Sequence, residues 1–186
     1  MASPDASDPP STGFTLFDTA IGRCGIAWGP GGITAVQLPE RDDARTRGRL
    51  ARRSATTAPC PPPPQVQTVI VDIVALLTGQ PVDLADAPLD MDGLGDLDRQ
   101  VYDVARTIPP GRTMSYGDIA TRLGDPTLAR AVGRALGRNP FAIVVPCHRV
   151  VGADGRLTGF SANGGVATKE RMLVIEGARP ESPTLF

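Results

Sequence analysis

The chain has 186 residues, 41% of them hydrophobic, enough for a sizeable core in one domain or two small ones. No apolar run approaches the ~18–20 residues of a membrane span, and the polar, proline-rich start lacks a secretory pattern, so no membrane association and a cytoplasmic location are expected. Three widely spaced cysteines and a single histidine argue against a disulfide framework and a structural zinc site, so neither a metal nor another cofactor is expected.

The formal net charge of −1 conceals an asymmetry. Residues 1–96 hold seven arginines against twelve acidic residues, whereas residues 97–177 hold eleven lysines and arginines against seven acids. A basic second half suits a polyanionic partner, although ordinary surface scatter produces the same imbalance.

In chain order, residues 1–11 read as a disordered tail. Short β-like runs over 14–19, 24–28 and 33–38 are separated by Gly22 and by Gly29-Pro30-Gly31-Gly32, the pattern of an antiparallel meander. A charged stretch over 40–54 carries one helix. Prolines between 59 and 64 end it. Val66, Val69, Ile70, Ile73, Val74 and Leu77 then recur at helical spacing up to Gly79, and residues 82–91 read as a further short strand. These elements define an N-terminal α/β domain over 12–96.

A second domain is expected over 97–178, followed by a tail over 179–186. Val101, Val104, Ala105 and Ile108 form a helical stripe closed by Pro109-Pro110-Gly111. Ser115 can cap a short helix that ends at Gly124. Asp125 and Pro126 start the next helix, which ends at Gly137. Two short helices across a tight turn fit a helix-turn-helix, or equally a plain helical hairpin. Residues 141–145 read as an extended, β-branched run. A turn signal at Ala153-Asp154-Gly155-Arg156 separates two further short strands, and a final helix over 166–176 is capped by Gly177. The fold class is mixed α/β (α+β), a small sheet-plus-helix domain followed by a mostly helical one with a helix-turn-helix and a short sheet.

The chemistry concentrates in P-C-H-R-V at 146–150. A cysteine after an apolar run is most often a small buried hydrophobe. Here Pro146 fixes the backbone before Cys147, the only histidine, His148, adjoins it, and Arg149 follows. A thiol attacks as thiolate, which a nearby imidazole or positive field can supply. Neighbouring strand residues face opposite ways, so contact needs a bend after Pro146 or a bridging water. A carboxylate should orient the imidazole, with Glu170 and Glu176 among the choices. Arg130, Arg134 and Arg138 recur every fourth residue along one helical side, interspersed with Ala129, Ala131 and Gly133. They read as a solvated face or as a row for phosphates, with small residues that permit close approach to a groove.

Taken together, these segments resemble the O6-alkylguanine-DNA alkyltransferases. T-M-S-Y-G-D-I-A, L-A-R-A-V-G-R-A-L, N-P, V-P-C-H-R-V-V-G, L-T-G-F and K-E-x-x-L-x-x-E-G occur in the family's order across residues 98–178. The resemblance implies that Cys147 accepts the alkyl group, that His148 acts through a water as base, and that Glu176 orients it. It makes Tyr116 the proton donor to the purine and Asn139 the brace of the Cys147 turn. Arg130 fills the space of a flipped nucleotide, with Ala129, Ala131, Gly133, Arg134, Thr113 and Ser115 alongside it on DNA. Pro146, Val150, Phe160 and Ser161 line the substrate pocket. The implied partner is double-stranded DNA bearing O6-alkylguanine, bound by a monomer through the minor groove. The implied reaction is DNA repair by one irreversible alkyl transfer per molecule, with O4-alkylthymine as a further substrate.

The chain departs from the family pattern at Ser161-Ala162-Asn163, which lengthens the loop by about two residues, and at Phe160, where a tyrosine is common. Competing readings are a Cys/His/Glu hydrolase, alkyl transfer from a small molecule, and a non-catalytic DNA-binding module.

Overall fold

The computed structural model describes residues 11–54, 56 and 58–180. The tails expected at 1–11 and 179–186 lie outside these residues, apart from Ser11, Arg179 and Pro180. Among the described residues no helix is long and apolar enough to cross a membrane.

Strands β1 (Gly13–Thr19), β2 (Gly22–Gly29) and β3 (Gly32–Gln37) form the expected antiparallel meander. Residues 24–28 of β2 are all buried, without the alternation of a one-sided sheet, because helices cover both faces. On one face Leu50 of α1 (Asp43–Ala51) meets Phe14, Ala27 and Ala35. On the other, Ile26, Trp28 and Val36 join the apolar stripe of α2 (Pro64–Leu76). Asp42 caps α1 by accepting from the Arg45 amide at 2.8 Å.

The strand expected over 82–91 reduces to a single parallel bridge between Leu89 and Ile33. Pro88 lacks an amide donor, so the ladder cannot extend past it towards Ala87. What remains is the bond from the Ile33 amide to the Pro88 carbonyl and that from the Asp90 amide to the Ile33 carbonyl, each 2.8 Å.

The second half contains α3 (Asp96–Arg106), β4 (Met114–Ser115), α4 (Tyr116–Arg122), α5 (Ala129–Gly137), β5 (Val150–Val151) and α6 (Gly165–Ile175). Ser115 and Asp118 form a reciprocal capping box that starts α4. Asp125 caps a 3-10 turn over Pro126–Leu128 that runs into α5, so the expected single helix begins as a tighter turn. The Tyr102 hydroxyl donates to the Ala135 carbonyl at 2.9 Å and fastens α3 to α5. Gly177, at φ 73°, ends α6 in the left-handed region that favours glycine.

Two expected strands are absent. Residues 153–156 form a turn closed by bonds from Gly152 to Arg156 and from Gly155 to Gly152, but no strand follows it. β5 pairs in parallel with β4 instead of forming a hairpin. The second absence, over 141–145, belongs to the site described next.

One buried cluster joins the two halves, from Ile26, Trp28 and Ile33 to Val101, Val132, Val145 and Met172. The outer edge of β3 reaches across as well. The Val36 amide donates to the Pro140 carbonyl at 2.8 Å, and the Ala142 amide donates to the Val36 carbonyl at 3.2 Å.

Candidate active site

The 141–145 run folds as a turn, not a strand. Asn139, just past α5, closes it with its side-chain amide. Its Oδ1 accepts from the Phe141 amide at 2.8 Å, and its Nδ2 donates to the Val145 carbonyl at 2.9 Å. Ile143 is forced to φ 74°, costly for a β-branched residue, and is held there by these bonds and the β3 edge. The apolar composition reflects burial of a turn, which periodicity cannot separate from a buried strand.

Pro146 sits at φ −80° and ψ 64° and leads into a 3-10 turn over Cys147–Arg149. This is the bend that a Cys-His neighbourhood requires. Cys147 remains partly exposed while His148 and Arg149 turn inward and are buried.

The inward pair converges on Glu176 at the end of α6. His148 Nε2 lies 2.9 Å from Glu176 Oε1. Arg149 donates from Nε to Oε2 at 2.8 Å and from Nη2 to Oε1 at 2.9 Å, and its Nη1 donates to the Ile108 carbonyl at 2.6 Å. Burial alone would raise the Glu176 pKa, but the His148 and Arg149 hydrogen bonds overcome it and hold the carboxyl at about 2. An ionised carboxylate only accepts, so Nε2 carries the imidazole proton. Burial lowers the His148 pKa despite the opposing Glu176 charge, which keeps the ring neutral. Its Nδ1, buried and without a hydrogen-bond partner among the described residues, therefore carries a lone pair.

Around Cys147 the field is mixed. Burial pushes its thiol pKa up, while a hydrogen bond with Asn139 and the Lys169 charge pull it down. The neutral thiol is the resting form, and ionisation needs a base. Cys24 is wholly buried and pushed up to about 12, chiefly by burial, so it is unsuited to attack.

Lys169, fully buried on α6, donates to the Val150 carbonyl at 2.6 Å and to the Thr158 carbonyl at 3.4 Å. Its Nζ stands 5.8 Å from the Tyr116 ring centre and 5.9 Å from that of Phe160. It therefore ties together two of the expected pocket residues, Val150 and Phe160, and Tyr116. Ser161 anchors the lengthened loop to the end of α5 through the Gly137 carbonyl at 3.3 Å. Pro146 is buried behind Cys147.

Arg130 and Arg134 are exposed on α5, with Ala129 and Ala131 half-buried between them and the core. Arg138 does not continue that row. It caps the helix and pairs with Asp98 at 2.8 Å, so its charge is partly neutralised. A Cβ on Gly133 would meet the Tyr116 ring at 3.8 Å, ordinary contact distance, so packing does not demand glycine there. Thr113 is exposed just before α4, while the Ser115 hydroxyl accepts the cap bond at 3.0 Å.

Sequence reasoning assigned no role to Arg149 or Lys169. A charged residue inside an otherwise buried run was the available signal at 149. At 169 the signal was a lone lysine on the inner side of a helix.

A thiol beside a carboxylate-oriented imidazole, on a scaffold with a helix-turn-helix, defines a class of DNA-associated cysteine proteins. The comparisons with known proteins specify it further. Residues 96–178 match the family model of the 6-O-methylguanine DNA methyltransferase DNA-binding domain. A methylated-DNA–protein-cysteine methyltransferase of Methanothermobacter thermautotrophicus is 36% identical over 157 residues, 84% of this chain and 81% of that protein. One from Mycolicibacterium paratuberculosis is 51% identical over 102 residues, covering 54% of this chain and 60% of the relative's length. The crystal structure of Mycobacterium tuberculosis OGT in complex with DNA superposes with a TM-score of 0.70 at 34% identity, over 89% of this chain and 92% of that one. The chain belongs to the methylated-DNA–protein-cysteine methyltransferase family.

Proposed function

We propose that the protein repairs DNA by moving the O6-alkyl group of guanine onto Cys147, once per molecule. The observation that carries this reading is the bond from His148 Nε2 to Glu176, which leaves Nδ1 as an unprotonated base in the residue next to Cys147. His148 takes the thiol proton through a water. The Cys147 sulfur then forms a bond to the alkyl carbon as the carbon–O6 bond breaks and its electron pair passes to the guanine. Tyr116 supplies the proton that the departing base needs, and solvent later restores both protonation states. The thioether has no easy leaving group, so the thiol is not regenerated.

The reacting carbon is out of reach inside a paired base, and the nucleotide must leave the stack. Arg130 and Arg134 are exposed cations on α5, and on this reading Arg130 occupies the vacated space. Ser115 and Thr113 at the start of α4 supply further backbone contacts. Asn139 holds the turn that presents Cys147. O4-alkylthymine presents a similar alkyl ether and is a second substrate on this reading.

The test is intact mass after mixing with duplex DNA that contains O6-methylguanine. One added methyl per chain, mapped to Cys147, supports the reading. Continued turnover would instead indicate a hydrolase, and no mass gain a binding module.

A further inference from the structure

Cys147 opens onto a cleft of about 1090 Å³, above the ~300–1,000 Å³ of ordinary small-molecule sites. Ala142, Phe160 and Ser161 line it together with Cys147, as do α1 and the residues just after it, which contribute Arg49, Arg52 and Arg53. A single cleft thus borders both the thiol and these guanidinium groups.

The charge around that cleft is unbalanced. Arg49 is paired with Glu40 at 2.9 Å, and Arg138 with Asp98 at 2.8 Å. Arg52 and Arg53 are exposed and form no ion pair among the described residues. Tyr102 lines the cleft as well. Burial and the Asp98 charge push its pKa up, and the charges of Arg138, Cys147 and Arg53 also act on it.

We propose that, among O6 substituents, this cleft favours those ending in a carboxylate, with Arg52 and Arg53 setting the preference. The inference rests on the reading of Cys147 as alkyl acceptor. The bond formed is still sulfur to the carbon that bore O6, and the bond broken is still carbon to O6. The remainder of the substituent extends past Ala142 and Phe160 towards α1, where the guanidinium groups meet its anionic end. The carboxylate is unchanged in the reaction.

The experiment compares single-turnover rates of the full chain on guanines carrying O6-(3-carboxypropyl), its neutral primary amide, or methyl, each as free base and in duplex DNA. The carboxylate should react faster than the amide in both settings. Combined Arg52→Ala and Arg53→Ala should shrink that ratio by about two- to fivefold per arginine, with methyl transfer unchanged. Both side chains are exposed, so the fold should tolerate the changes. A preference seen only in duplex DNA would assign the arginines to DNA phosphates and overturn the proposal, as would a ratio of one. Methyl transfer without any carboxylate preference overturns this inference alone. Absence of transfer from O6-methylguanine overturns the acceptor reading as well.

Discussion

Arg149 grips Glu176 at two points, Nε to Oε2 at 2.8 Å and Nη2 to Oε1 at 2.9 Å, with the carboxylate wholly buried. The same carboxylate orients His148, so one buried charge holds both side chains. Removing one partner of a buried pair costs about 3–5 kcal/mol, because the other is left uncompensated. Glu176→Gln is therefore expected to lower unfolding free energy by that order, measured by chemical denaturation. Its alkyl transfer should also fall on free base and duplex alike, measured where the variant is still folded.

Stability should depend on pH through the single histidine. Burial lowers the His148 pKa in the folded state, against the opposing Glu176 interaction. As pH falls below the ordinary value of about 6.5, the unfolded chain takes up the proton first. Unfolding free energy should be full above that pH and fall below it, by at most about 1.4 kcal/mol per pH unit. Glu176 adds a second loss. Its folded pKa of about 2 lies below the unfolded value near 4.3, so its contribution disappears as pH drops between them. Denaturation curves at pH 7.5, 6 and 5 check the first window, and His148→Gln should flatten it.

Cys147→Ser should abolish alkyl transfer while leaving DNA affinity nearly intact, since a hydroxyl is far less ionised than a thiol. Peptide mapping after reaction decides the matter. A label on Cys24 or Cys60, or a serine variant that still gains mass, would remove Cys147 from the acceptor role.

Arg130→Ala should slow repair in duplex DNA about 10- to 100-fold, matching about 1–3 kcal/mol of lost compensation for unstacking. Transfer from free O6-methylguanine should be nearly unaffected, because a free base needs no extrusion. Equal losses on both substrates in paired single-turnover assays would take Arg130 out of that role.

The meander and most helices were legible because their signals are local: glycines between β-branched runs, and caps at Ser115, Asp125 and Gly177. The turn over 141–145 was not. Its residues are apolar because they are buried, and the two groups that bend it, the Asn139 amide and the β3 edge, come from outside the run. The strand over 82–91 was cut short on one side because Pro88 has no amide to donate. At the site, the motif located Cys147 and His148, whereas the inward turn of Arg149 and the placement of Lys169 against Tyr116 and Phe160 depend on α6 folding back. Sequence spacing carries no information about that return.

The bonds from β3 to Pro140 and Ala142 at one end, and to Pro88 and Asp90 at the other, have a consequence for solubility. An exposed strand edge is a template on which further chains can pair. Here the segment that precedes Cys147 helps to cover that edge. Loosening the Asn139 turn would uncover unpaired β3 amides and carbonyls, so such variants should be lost to self-association at high protein concentration as well as to misplacement of the thiol. The turn acts as a guard against polymerisation of the sheet it rests on.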